Sequence, residues 1–419
     1  MKLSSFKFIN LSSFRKPGYL PGFLFFCICL LLGFTLSRQG GSTNIYAKLC
    51  HFVDQHAYLA DKEMRPWLQA CLARASLVKS DTPADVIIKD LNAQFSFLKT
   101  SHLVLYNAEE SQKIWSGENA ETGIEAQYVE GELVIFRIHK NSPAESVGLR
   151  MGDVIYRINN LEASPEIAEK ASGSFMIMRD KKLREYRFGA KKIMRDEEPI
   201  LIRMSDKTAV FKVPSFRAEF FKKSHWQAQV QELKKYPKII VDLRGNQGGN
   251  FIAGLRFLSS FMCSPQNIGY LFKPKSKLKT EMNLADDLDD ENQIRVLDQN
   301  FLVNLWTFDE YDCLASSVSV LVDSFTASTA EMVAQAMRDY VGAKIFGTAS
   351  SGQLLVGVWY PVPELGTGVK ISVPEAVYQT RRGHKLEGPG VQIDKVLYYH
   401  LEEMQNGEDS WVKAAMRSF

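Results

Sequence analysis

Two short segments carry the residue types that acyl-transfer chemistry needs. In LVDSFTASTAEMVAQAM, Leu321 to Met337, a β-rich run leads into a polar turn with Ser328 and then an apolar helical pattern of Met332, Val333, Ala336 and Met337. A serine on a strand-to-helix turn projects its hydroxyl from the fold, and the helix N-terminus behind it favours developing negative charge. Some eighty residues upstream, VDLRGNQGGN closes the apolar run Ile239-Ile240-Val241 with Gly245, Gly248 and Gly249. Glycines there let backbone N–H groups approach a ligand and line an oxyanion site.

These segments resemble the core of the C-terminal processing (tail-specific) serine peptidases, whose signatures are a DLRGNxGG-like turn and a TASxxE nucleophile helix. The resemblance spans roughly Asp85 to Phe419. It implies an α/β (α+β) core of the ClpP/crotonase-like type, with Ser328 as the nucleophile three residues before Glu331. It further implies an oxyanion hole from the N–H of Thr329 and of Gly248 or Gly249. Asp242 and Arg244 are expected to fix the turn.

A serine hydroxyl is inert without a base. The bacterial tail-specific branch uses a lysine in a GKG-like turn, but here GTASSGQ, Gly347 to Gln353, ends in Gln353, and an amide takes no proton. Lys344 is nearby but falls within an expected strand. Two readings follow: an inactive relative that binds proteins, or an enzyme with another base. The tricorn-like branch places a Ser-His pair before its PDZ domain and a glutamate about sixty residues after the nucleophile. This chain has Ser101-His102 in LKTSHLVLY and Glu387 in LEGPGV, 59 residues beyond Ser328. By that resemblance His102 is the base, oriented by Ser101 and Glu387. His384, three residues before Glu387, is the competing histidine. A carrier of apolar ligands is a third reading, since some relatives use the fold so.

The elements that must position these residues read as follows. From Asn44 to Phe97 apolar residues recur at three and four, predicting helices, with a helix start at Asp81-Thr82-Pro83. GIEAQYVEGELVIFRI predicts a hairpin turning at Glu130-Gly131. NSPAESVGLRMGDVIYRINN, Asn141 to Asn160, resembles a PDZ domain, which implies peptide binding by strand addition with a terminal carboxylate held at Gly123, Ile124 and Glu125. From Lys207 to Lys395 strands alternate with helices. The polar stretch Lys273 to Asn292 reads as an exposed insertion, and polarity suggests a lid over Leu278 to Asp298. The resulting division is 1–42 export segment, 43–118 helical region with Ser101-His102, 119–204 PDZ domain, and 205–419 peptidase core.

Bulk properties set the outer limits. At 419 residues, 45% hydrophobic and 24% charged, the chain can hold two or three domains. A net charge of +3 without a basic tract excludes a nucleic-acid binder. Lys2, Lys7, Arg15 and Lys16 precede the uncharged run Tyr19 to Leu36, the pattern of an export signal or a retained membrane anchor, and place the rest outside the cytoplasm. Cys50, Cys71, Cys263 and Cys313 permit disulfides Cys50–Cys71 and Cys263–Cys313 in an exported protein, or remain four buried thiols. No CxxC or His/Cys cluster suggests a metal, and no cofactor is expected. The expected partners are protein or peptide substrates.

Overall fold

The computed structural model describes residues 44–419 apart from 117 and 277, so the expected export segment lies outside the described residues. The first helices are α1 (Ile45–His56), α2 (Asp61–Ala75) and α3 (Ala84–Phe95). Their apolar faces share one core, and the disulfide Cys50–Cys71 ties α1 to α2. After α3 the chain turns through Lys99 in the left-handed region, passes Ser101 and His102, and enters β1 (Val104–Tyr106). Asn92 of α3 locks this path. Its side chain accepts from Leu105 N at 2.8 Å and donates to Leu105 O at 2.9 Å, so a helix holds the strand that follows the histidine.

Next come α4 (Ala108–Ser116), β2 (Glu118–Glu121), β3 (Ile124–Val129), β4 (Glu132–Ile138), α5 (Pro143–Ser146), β5 (Val154–Ile158), α6 (Pro165–Lys170), β6 (Ser172–Arg179), β7 (Lys182–Gly189) and β8 (Lys191–Met194). Strands β3 to β7 form one antiparallel sheet in sequential order, with β3 at an edge, while β2 pairs with β8. The β3–β4 hairpin turns at Glu130-Gly131, both at positive φ, as two-residue hairpin loops require.

The rest of the chain runs β9 (Ile200–Arg203), β10 (Thr208–Lys212), α7 (Lys223–Leu233), β11 (Lys238–Asp242), α8 (Phe251–Met262), β12 (Asn267–Phe272), β13 (Glu281–Asn283), α9 (Asp290–Gln299), β14 (Leu302–Trp306), β15 (Ser317–Val322), α10 (Thr329–Ala336), β16 (Lys344–Gly347), β17 (Leu355–Pro361), β18 (Lys370–Thr380), β19 (Lys395–Val396), α11 (Leu401–Gln405) and α12 (Ser410–Met416). One six-stranded sheet has the order β19-β16-β15-β11-β10-β9, parallel except for β9. A second joins β1, β18, β12, β14 and β13, with β17 paired to β18. Between them, α8 is apolar nearly all round and buried along almost its whole length. The parallel strands read as continuous hydrophobic runs because both their faces are covered. One face meets α8 and α10, and the other meets Trp411, Val412 and Ala415 of α12.

Three expectations change. β9 pairs with β10, so the boundary expected at 204 cuts off a strand of the core sheet. β1 pairs with β18, so the helical region 43–118 shares a sheet with the core. The stretch 273–292 is woven in rather than appended: β13 pairs with β14, and Leu284 is buried along with Leu297 of α9. Leu284 enters the core, and Asp286 and Asp290 turn inward to Arg256 and Asn250, among neighbours that are polar and more exposed.

Candidate active site

Ser328 sits where β15 gives way to α10, with φ 58° and ψ −129°. A non-glycine residue held there stores strain that its surroundings must oppose, a feature concentrated at functional sites. Its N–H donates to Gln353 O and to Glu331 Oε2, both at 3.1 Å. The hydroxyl is buried and makes no hydrogen bond among the described residues, so it is not used to cap the helix. Glu331, fully buried, gathers the surrounding loop. Ser350 Oγ (2.6 Å) and Gly352 N (2.7 Å) donate to Oε1, and Gln353 N (2.9 Å) donates to Oε2. Burial still pushes this carboxyl above its ordinary value.

The glycine turn is fastened by charge. Arg244 forms bidentate pairs with Asp242 and with Asp409 ahead of α12. Asp323 Oδ1 accepts from Gly245 N at 3.0 Å and Thr326 N at 3.1 Å, tying the glycine turn to the serine turn. At Gly248, φ 96°, a Cβ would stand 2.6 Å from Ser328 Cβ, so only glycine permits this approach. Gly248 N–H already donates to Asn246 Oδ1 at 2.8 Å. The N–H groups of Gly249 and Thr329 donate to nothing among the described residues. Of the glycines singled out in the sequence, Gly249 therefore has the available donor. Asn246 was the missed residue, and its place two positions before Gly248 is the signal that could have found it.

His102 lies across the cleft at φ 64°, buried. Its Nδ1 is 2.7 Å from Ser101 Oγ, which donates to Glu387 Oε2 at 3.1 Å. Glu387 also accepts from Ser101 N at 3.2 Å and from Leu354 N at 2.7 Å. The structure thus brings Ser101, His102 and Glu387 into one chain of contacts. His102 Nε2 is buried without a partner, as is Ser328 Oγ, so the two atoms are not bonded to one another. Burial pulls the imidazole down to about 3, which keeps it neutral. His102 packs on Gly357 of β17, where a Cβ would stand 3.1 Å from His102 Cβ. Gly357 and Gly249 line the same apolar pocket, with Phe251, Leu271, Ile294 and Val356. Neighbours of Ser328 and His102 therefore flank one small apolar space.

The competing groups lie elsewhere. His384 faces Asp339 and Gln392. Lys344 is exposed on β16. Gln353 contributes its backbone, which braces both Ser328 and Glu331.

The loop expected to hold a peptide carboxylate is occupied from within. Ile124 N donates to Thr122 Oγ1 at 3.2 Å. Glu125 places a carboxylate in the groove between β3 and α6, held by His139 Nε2 at 2.8 Å and by Arg137 and Arg195. A second carboxylate there would meet repulsion.

Residues 207–397 match the model of peptidase family S41. This segment is therefore similar to the core of that family. The "Probable CtpA-like serine protease" of Staphylococcus aureus is 23% identical over 346 residues, covering 78% of this chain and 62% of the relative. Its Staphylococcus haemolyticus counterpart is 22% identical over 331 residues, 75% of this chain and 59% of that one. The chain thus spans about three-fifths of the length of these curated relatives. Among solved structures, a photosystem II D1 C-terminal processing protease superposes with TM-score 0.57 at 17% identity, over 86% of this chain and 94% of that one. Mature CPAF complexed with lactacystin gives 0.59 at 12% identity, over 89% and 96%. These likenesses establish the mixed α/β S41 fold.

Proposed function

We propose that this chain is a serine endopeptidase that works through an acyl-enzyme on Ser328. The observation that carries the reading is the chain Glu387–Ser101–His102, ending in an unbonded Nε2, beside a strained serine whose hydroxyl is equally unbonded. His102 takes the Ser328 proton as the oxygen attacks the scissile carbonyl, and gives it to the leaving amine. Ser101 and Glu387 fix the imidazole and stabilise its charged form. The N–H groups of Gly249 and Thr329 receive the oxyanion, and loss of one such donor costs about 3 kcal/mol in the transition state. The apolar pocket bounded by Gly249 and Gly357 takes a small apolar side chain next to the cut bond. The five-stranded sheet β3 to β7 acts as a PDZ-like module that adds an extended substrate segment to the free edge of β3. The protein works outside the cytoplasm on exported or unfolded chains, near their C-termini, and needs no metal or cofactor.

The test is hydrolysis of casein by the purified chain beside Ser328→Ala, His102→Ala and Gln353→Lys, with fluorophosphonate labelling of Ser328. Activity lost in the first two variants is the expected result. Absence of labelling together with absence of hydrolysis in the parent overturns the reading in favour of a binding scaffold.

A further inference from the structure

A second polar site lies away from the catalytic cleft, where the five-stranded sheet meets the S41 core. A cavity of about 450 Å³ opens between the end of β3, the turn after β15 and the segment before α11. Two of its lining residues, from different segments, bury an acceptor oxygen without a partner: Asp323 Oδ2 and Tyr399 OH. Asp323 is 1% exposed, and a buried carboxylate oxygen left unpaired costs more than almost any other polar atom. The lining also includes Tyr128, Tyr398 and Glu130. Glu130 carries the second carboxylate and is 3.1 Å from His400 Nδ1. Arg244 pairs with Asp242 and Asp409, and its charge also reaches Asp323 and Tyr399. The lining therefore presents two carboxylates, a phenol oxygen and three aromatic rings.

We propose that this cavity binds a guanidinium group, the side chain of an arginine in an extended peptide that also touches the β3 end of the sheet. A planar cation with five N–H donors matches several acceptors at once and stacks on tyrosine faces, which a compact ammonium does less well. Among the described residues no three His, Cys, Asp or Glu gather to hold a metal, so the carboxylates are too sparse for a bare ion. Burial pushes the Asp323 carboxyl above its ordinary value despite the Gly245 hydrogen bond and the Arg244 charge, and a bound cation offsets that penalty. Asp323 Oδ1 holds Gly245 and Thr326, so an arginine on Oδ2 bears directly on the turns that carry the glycine donors and Ser328.

The test titrates the full chain with N-acetyl-arginine amide, its uncharged isostere N-acetyl-citrulline amide and N-acetyl-lysine amide, followed by calorimetry. The arginine probe is expected to bind at least about tenfold tighter than the citrulline probe, the size of one charge-assisted contact. Asp323→Asn should remove that difference. Because Asp323 also supports the turns, Tyr399→Phe and Glu130→Gln provide independent evidence. Tyr399→Phe keeps the ring stacked on Trp411, and each variant should weaken arginine binding about threefold or more. Equal binding of arginine and citrulline probes, equal binding of arginine and lysine probes, or arginine binding unchanged in both variants overturns the proposal. Binding is measured without turnover, so its outcome is separate from that of the peptidase reading.

Discussion

Two buried glutamates, Glu331 behind the nucleophile and Glu375 on β18, solve the same problem in opposite ways. Glu331 is surrounded by neutral donors, Ser350 Oγ and the N–H groups of Ser328, Gly352 and Gln353. Glu375 instead meets the Lys273 ammonium at 2.7 Å, with His56 Nδ1 at 3.0 Å and Tyr360 OH also donating to it. Burial raises both. At Glu331 the dipoles do not overcome it, and the carboxyl stays above its ordinary value. At Glu375 the hydrogen bond from His56 and the Lys273 charge do, and the group is held below it. The first arrangement fixes the shape of a loop around a strained serine; the second joins α1 to the strands of the core.

The sharpest break in that comparison is chemical. Ser328→Ala or His102→Ala should lower kcat/KM on casein by at least about 10³-fold with an unchanged melting temperature, since each deletes a reacting group. Glu375→Gln should do the reverse: a stability loss of about 3 kcal/mol in denaturant, from breaking the buried pair with Lys273, with kcat within about twofold. Glu387→Gln lies between, lowering kcat about tenfold to a hundredfold through a loosened Ser101–His102 pair, with KM nearly constant.

Acid separates the two carboxylates by sign. A depressed carboxyl contributes stability above its unfolded value, so the Glu375 contribution disappears as pH falls below about 4.5. A raised carboxyl penalises the folded state as pH rises past the same value, so Glu331 favours mild acid. Melting curves across that range for Glu375→Gln and Glu331→Gln should therefore change slope in opposite directions. The kcat/KM profile reports on His102 alone. Because the imidazole is pulled below its ordinary 6.5, activity should stay flat from pH 7.5 to about pH 5. A half-maximal point near 6.5 would mean that the imidazole is more solvated than the cleft implies. The smallest effect is expected from Gln353→Lys, with hydrolysis changed less than about twofold, since the proposed mechanism takes His102 as base.

Much of this was legible locally. The Glu130-Gly131 hairpin, the proline-started α5, the cysteine pairs Cys50–Cys71 and Cys263–Cys313, and the strand-turn-helix at Ser328 each follow from residues close in sequence. The polar stretch 273–292 misled, because composition averages over a strand and helix whose few leucines face inward. The carboxylate loop misled for a related reason. Its backbone pattern was present, but Thr122 and Glu125 fill the space a ligand carboxylate would need.

The sequence by itself determined the inventory: a serine on a tight turn, glycines where Cβ atoms would collide, a Ser-His pair and a glutamate at a set spacing. Only the tertiary structure decided which of these meet. Ser101 and Glu387 are 286 residues apart, and they touch because β1 joins β18 and the 350–354 loop bridges Glu331 to Glu387. Pattern along a chain encodes the local conformation each residue prefers. Which side chains share a buried cleft depends on how sheets and helices stack, and there a single hydrogen bond, such as Asn246 on Gly248, chooses which donor remains.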